Sequence, residues 1–120
     1  MAVRAIRGAT QLDVDEREHL LASTRELVTA VLDANRITSA ELISILFTVT
    51  TDLRSEFPAL AARELGMGDV PLLCTVEVDV PGAMPRVVRL MAHAELHVPR
   101  SEVQHVYLRG AAALRRDLAQ

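Results

Sequence analysis

The stretch 70–90, VPLLCTVEVDVPGAMPRVVRL, constrains this chain more than any other. It reads as two apolar strands joined by a turn at Pro81-Gly82, with one carboxylate, Glu77, and one guanidinium, Arg89, set inside the aliphatic runs. Burying an ion without a counter-charge or a ligand is strongly unfavourable, because the lost hydration is not replaced. A fold that buries these runs must therefore bring Glu77 and Arg89 to each other or to a bound molecule. An ion pair between adjacent strands is the plain reading, and a binding site is the sharper one.

With 120 residues the chain is expected to form one domain, 1–120, with one core. Half of it is apolar, yet it holds no Trp, one Tyr (Tyr107) and two Phe (Phe47 and Phe57), so the core must be Val, Leu, Ile and Ala. The formal charge of −3 gives no support for nucleic acid or an anionic membrane as partner, both of which demand a basic surface. No apolar run has the length of a membrane span, and the first residues lack the apolar segment of a signal peptide. A single cysteine, Cys74, excludes an internal disulfide and points to the reducing cytoplasm.

Along the chain, AVRAIRGA (2–9) alternates as a first strand, in which Val3, Ala5 and Arg7 share one face and Arg4 and Ile6 the other. Arg7, beside two small apolar neighbours, is expected to point inward. A helix is predicted over 15–34, with Asp15 as N-cap and Glu18 in the first turn, and with Leu20, Leu21, Leu27, Val28, Val31 and Leu32 on one stripe. Asn35 is the expected left-handed terminator, and Thr38 with Glu41 a second capping pair opening a short helix. ILFTVT (45–50) is a buried strand, and a helix over 58–65 stops at Gly66. The next strand, 70–80, places Cys74 and Glu77 on opposite faces. Both reach one pocket only if a bulge or turn interrupts it. A strand over 87–94, a helical turn over 99–103, a short strand over 105–108 and a tail, flexible over about 112–120, complete the chain.

Several chemistries can be set aside. His19, His93, His97 and His105 lack metal-ligand spacing, and no nucleophile elbow, phosphate-cradling glycine loop or dinucleotide fingerprint is present. Cys74 has no base near it in sequence and reads as an inert thiol. What remains is arginines on strands, a glutamate and a tyrosine, a set suited to holding a small, multiply anionic molecule.

Five separated segments, VRAIRGAT (3–10), FTVTTDLRSEFPALAAR (47–63), VPLLCTVEVDVPG (70–82), PRVVRL (85–90) and HVYLRGAAALRRDL (105–118), resemble in one order the monofunctional chorismate mutases of the trimeric α/β-barrel class. The resemblance implies an α+β fold: a small barrel-like domain with a mixed sheet, three copies packing their sheets around a threefold axis. It implies clefts between subunits as active sites, chorismate as substrate, and a Claisen rearrangement to prephenate that requires no metal and no other cofactor.

Site residues follow from the same resemblance. Arg89 matches the cation beside the ether oxygen, which gains negative charge in the transition state, and Glu77 the carboxylate facing the substrate's ring hydroxyl. Arg7 and Tyr107 match residues holding a carboxylate and the ether region. Cys74 matches a pocket residue near the ring hydroxyl, while Phe57, Ala59 and Leu114 match lining residues and Arg63 and Arg115 cations near the mouth. Leu60, Leu73 and Arg116 depart from the family pattern, which bears on affinity rather than chemistry. The competing reading is a non-catalytic trimeric sensor of an aromatic-pathway carboxylic acid, using the same arginine cleft without turnover.

Overall fold

The structure, a computed structural model, describes residues 1–115, and of Arg115 only the backbone; Arg116, the rest of the tail and the Arg115 side chain lie outside the described residues. Five strands and two helices follow in the order β1 (Ala2–Gln11), α1 (Arg17–Asn35), β2 (Leu42–Val49), α2 (Ala59–Glu64), β3 (Leu72–Val76), β4 (Val87–Leu96) and β5 (Val106–Leu108). Short 3₁₀ turns occupy Ser39–Glu41, Arg100–Glu102 and Arg109–Arg115. The strands form one mixed sheet in the order β3-β2-β4-β1-β5, as expected for an α+β domain. β4 runs antiparallel to both β1 and β2, whereas β1 with β5 and β2 with β3 are parallel. None of the described helices is long and apolar enough to cross a membrane.

Stretch 70–90 does form two strands, but they are not neighbours: β2 lies between β3 and β4. The connection 77–86 holds Pro81, Pro85 and Gly82 at φ 85°, and is too long and irregular for a tight hairpin. β3 is also shorter than the predicted 70–80. It is an edge strand paired with β2 alone, and where β2 ends at Val49 it loses its ladder, apart from one bond of 2.8 Å from Glu77 N–H to the Val49 carbonyl.

Helix α1 starts one residue later than a cap at Asp15 would place it, because Glu16 is the N-cap. Its carboxylate accepts the N–H groups of Glu18 and His19 at 2.7 and 3.0 Å. Asp15 instead accepts the N–H groups of Arg54 and Ser55. At the other end Arg36, not Asn35, takes the left-handed conformation (φ 56°), and Asn35 uses its side chain to tie Val31 and Gln104 together. The Thr38–Glu41 capping box forms as predicted, over a single 3₁₀ turn.

The buried stripe of α1, including Leu20, Leu27, Val28 and Val31, covers one face of the sheet, against Ile6, Phe47, Val88 and Leu90. Gly8 permits the closest approach. A Cβ there would lie 3.1 Å from Val31 Cγ2 and 3.2 Å from Leu27 Cδ1, tighter than ordinary packing allows. Gly8→Val is therefore expected to lower stability by about 1–3 kcal/mol through overpacking, read as a fall in denaturation midpoint; an unchanged midpoint would show that the helix can move aside.

Val3, Ala5 and Arg7 of β1 lie on the opposite face from α1, so Arg7 does not enter the core; Ile6, Gly8 and Thr10 do. Small size at 3 and 5 was a misleading cue, since the inward face of β1 is the one against the helix.

Candidate active site

The central strand, β4, sets Arg89 opposite Thr48 of β2 on one side and Ala9 of β1 on the other. Arg7 is opposite Met91, and Tyr107 of β5 is opposite Ala9. Period two then puts Arg7, Thr48, Arg89 and Tyr107 on the one face that α1 leaves uncovered. Glu77 sits just past the end of β3 with the parity of Thr75, and so comes over the same face. Together with Met91 these five line a cavity of about 180 Å³. A recess of about 430 Å³ runs on from Glu77 and Arg89 along the loop 78–85.

Within the cavity, Thr48 Oγ1 donates to Glu77 Oε2 at 2.5 Å, and Arg89 Nε lies 3.4 Å from the same oxygen. Both charged side chains are about one-third exposed, at 32% for Glu77 and 38% for Arg89. The Arg89 Nε atom itself is buried and makes no hydrogen bond among the described residues. The two ions do pair, but loosely, across an intervening strand rather than between adjacent ones, and at the wall of a cavity. The start of β4 is braced nearby. Asp52 accepts the Arg86 N–H at 3.1 Å, and Thr50 Oγ1 accepts the Val87 N–H at 3.0 Å, with Arg86 held at φ 54°.

Leu114, on the turn Arg109–Arg115, packs like Tyr107 and Met84 against the small cluster of Ala9, Val87 and Ala111, beside this cavity without lining it. Cys74 goes elsewhere. β3 is regular, with no bulge in its pairing, so Cys74 stays on the face opposite Glu77, across from Phe47. It lines a separate recess of about 330 Å³ with Phe57, Val49 and Leu53. Phe57 is 69% exposed, Ala59 is buried in α2, and Arg63 is exposed on that helix. The chain therefore holds two groups: Arg7, Glu77, Arg89 and Tyr107 in one place, Cys74 and Phe57 in another, with Arg63 on the helix that follows Phe57.

The Phe57 segment is fastened by carboxylates. Glu56 accepts its neighbour's N–H, from Phe57, at 2.9 Å and an Arg17 Nε bond at 2.8 Å. These hold the Glu56 carboxyl below the usual range, the Phe57 N–H first and Arg17 second. A depressed carboxylate contributes above its unfolded pKa and loses that contribution as pH falls through its folded one. Acid should therefore loosen the Phe57 segment while neutral and alkaline pH leave it fastened. Because the pair is at the surface, Glu56→Gln is expected to raise KM at neutral pH by at most about fivefold, and to flatten the rise of KM expected of the parent as pH falls below the ordinary carboxylate range. A variant whose KM follows the parent at every pH would separate Glu56 from the site.

Sequence reasoning missed Thr48. A threonine in a strand reads as β-propensity, and only its register, between the strands carrying Glu77 and Arg89, reveals a hydroxyl placed between two ions.

As a whole the chain resembles proteins of one enzyme family. Residues 3–118 match the family model of chorismate mutase type I. The chain belongs to that family. It is 51% identical over 117 residues to chorismate mutase AroH of Thermus thermophilus, spanning 97% of this chain and 96% of that one. It is 37% identical over 120 residues to chorismate mutase AroH of Bacillus subtilis, spanning 99% and 94%. Among solved structures, a chorismate mutase from Clostridium thermocellum superposes with a TM-score of 0.90 at 38% identity, over 91% of this chain and 97% of that chain. The mixed sheet with α1 on one face is thus the type I chorismate mutase fold.

Proposed function

We propose that the chain converts chorismate to prephenate in a cleft shared by two subunits of a homotrimer, with Arg89 and Glu77 at the reacting atoms. That it is a chorismate mutase rests on full-length similarity to two proteins of that name and on the match to the family model. The roles of individual residues rest on one observation above the others: Arg89 and Glu77 meet in a cavity that Arg7 and Tyr107 also line.

The rearrangement is unimolecular. The ether C–O bond breaks as a C–C bond forms, and negative charge grows on the ether oxygen while the ring becomes positive. A guanidinium already in place beside that oxygen favours the transition state over the ground state, which is the only kind of interaction that accelerates the step. Arg89 fits this task because its buried Nε makes no hydrogen bond among the described residues, only the loose 3.4 Å ion pair with Glu77. Glu77 accepts the ring hydroxyl with the oxygen that Thr48 leaves unengaged, and its charge lies toward the ring cation. Arg7 and Tyr107 hold the substrate's carboxylate and ether end, so that the compact conformer is bound ready to react.

Two subunits are invoked because one protomer separates its site residues. The Cys74–Phe57 recess carries exposed apolar groups, Phe57 at 69% and Val76 at 59%, as an interface wall would. Cyclic packing of three copies closes each cavity with a neighbour's Phe57, Cys74 and Arg63, with Ala59 buried behind them, and repeats the site three times. The whole chain, 1–120, then acts as a single domain, and one free thiol, Cys74, suits the reducing cytoplasm.

The test is the disappearance of chorismate absorbance on mixing, with and without EDTA. The expected result is turnover that EDTA does not alter. Loss of turnover with EDTA would overturn the metal-free mechanism, and binding without turnover would favour a sensor.

A further inference from the structure

The geometry points to Thr48 as a positioning residue: we infer that its hydroxyl holds the Glu77 carboxylate off Arg89, which sets one carboxylate oxygen toward the substrate and keeps the guanidinium open for it. This rests on the site reading above and extends it to a residue that touches neither reacting bond.

The strand order makes the case. Glu77 follows β3 and Arg89 lies on β4, so β2 separates them, and Thr48 is the β2 residue directly opposite Arg89. Adjacent strands are about 4.8 Å apart, so the two charged side chains must lean toward each other over position 48. Thr48 Oγ1 donates to Glu77 Oε2 at 2.5 Å, shorter than the 3.4 Å from Arg89 Nε to that oxygen. The hydroxyl is thus the nearer partner. Removing it leaves Oε2 one attractive neighbour, the guanidinium, and the ion pair closes.

A closed pair harms catalysis twice. The guanidinium's donors turn to the carboxylate instead of the ether oxygen, and the carboxylate's free oxygen turns from the ring. A small side chain is needed as well as a polar one, since a larger residue at 48 would fill the space over which the two ions approach. Threonine meets both needs, and serine meets them too.

Thr48→Val keeps the shape and removes the hydroxyl. It is expected to lower kcat about tenfold or more, the usual effect of losing a hydrogen bond to a charged group, with KM changed by less than about threefold, since the carboxylate-holding Arg7 and Tyr107 are untouched. Thr48→Ser should restore turnover to within about threefold of the parent. In a Glu77→Gln background, Thr48→Val should add less than about twofold, because the two residues act through one carboxylate. Thr48→Ala gives the same readouts where the valine variant fails to fold. Parent-like kcat in Thr48→Val or Thr48→Ala, an equally impaired serine variant, or an undiminished loss in the Glu77→Gln background would each overturn the inference while leaving the site intact. Normal turnover in Glu77→Gln and in Arg89→Gln would overturn the site and, with it, this role for Thr48.

Discussion

Arg89→Gln is expected to lower kcat by about two to three decades while the protein keeps its fold. The effect is electrostatic. Chorismate binds as a dianion, and its ether oxygen carries little charge until the C–O bond lengthens, so a cation at that oxygen contributes mainly in the transition state. Glutamine is long enough to keep a donor in the cavity but cannot neutralise the developing charge. The loss should therefore fall on kcat, with KM changed far less. Folding should survive because the Arg89 side chain is 38% exposed on the face away from the core, and the strand is held by neighbours β1 and β2. Steady-state kinetics with circular dichroism of the same samples decides it. Near-normal turnover in a folded variant would remove Arg89 from the mechanism.

Much of this was legible in the sequence wherever the deciding chemistry is local. The stripe on α1 and the Thr38–Glu41 capping box depend on neighbours within one or two turns, and both are found where their spacing puts them. The alternation of β4 likewise sets Arg89 on the face opposite Val88 and Leu90. What the chain did not reveal depends on partners distant in sequence. β3 and β4 are consecutive, but β2 lies between them in the sheet, so the Glu77–Arg89 pair spans a strand rather than joining neighbours. The cap of α1 shifted from Asp15 to Glu16 because the loop at Arg54 and Ser55 takes Asp15 as its acceptor. Thr48 escaped notice for the same reason: its role is visible only once three strands are laid side by side.

Cys74 and Glu77 show where a local rule was right. Period two placed them on opposite faces, and they are on opposite faces; the pairing of β3 holds no bulge or turn of the kind needed to bring both to one pocket. If a second subunit supplies the Cys74–Phe57 wall, no bulge is needed. This has a sharp consequence for mixtures. A variant defective at Arg89 and a variant defective at Phe57 damage different halves of the shared cleft, so neither trimer contains an intact site. Phe57→Asp would serve as the second variant, because a carboxylate on an exposed wall repels a dianionic substrate without disturbing a core. When the two are unfolded together in equal amounts and refolded, random cyclic trimers should hold both intact halves at roughly a quarter of their sites. Activity is then expected to rise from near zero to about a quarter of the parent's, whereas mixing without exchange of subunits should give nothing. A site built within one protomer predicts no recovery under either condition, since every chain would carry its own defect. Recovery after refolding would therefore establish that each cleft draws on two chains, independently of how much any single residue contributes to the rate.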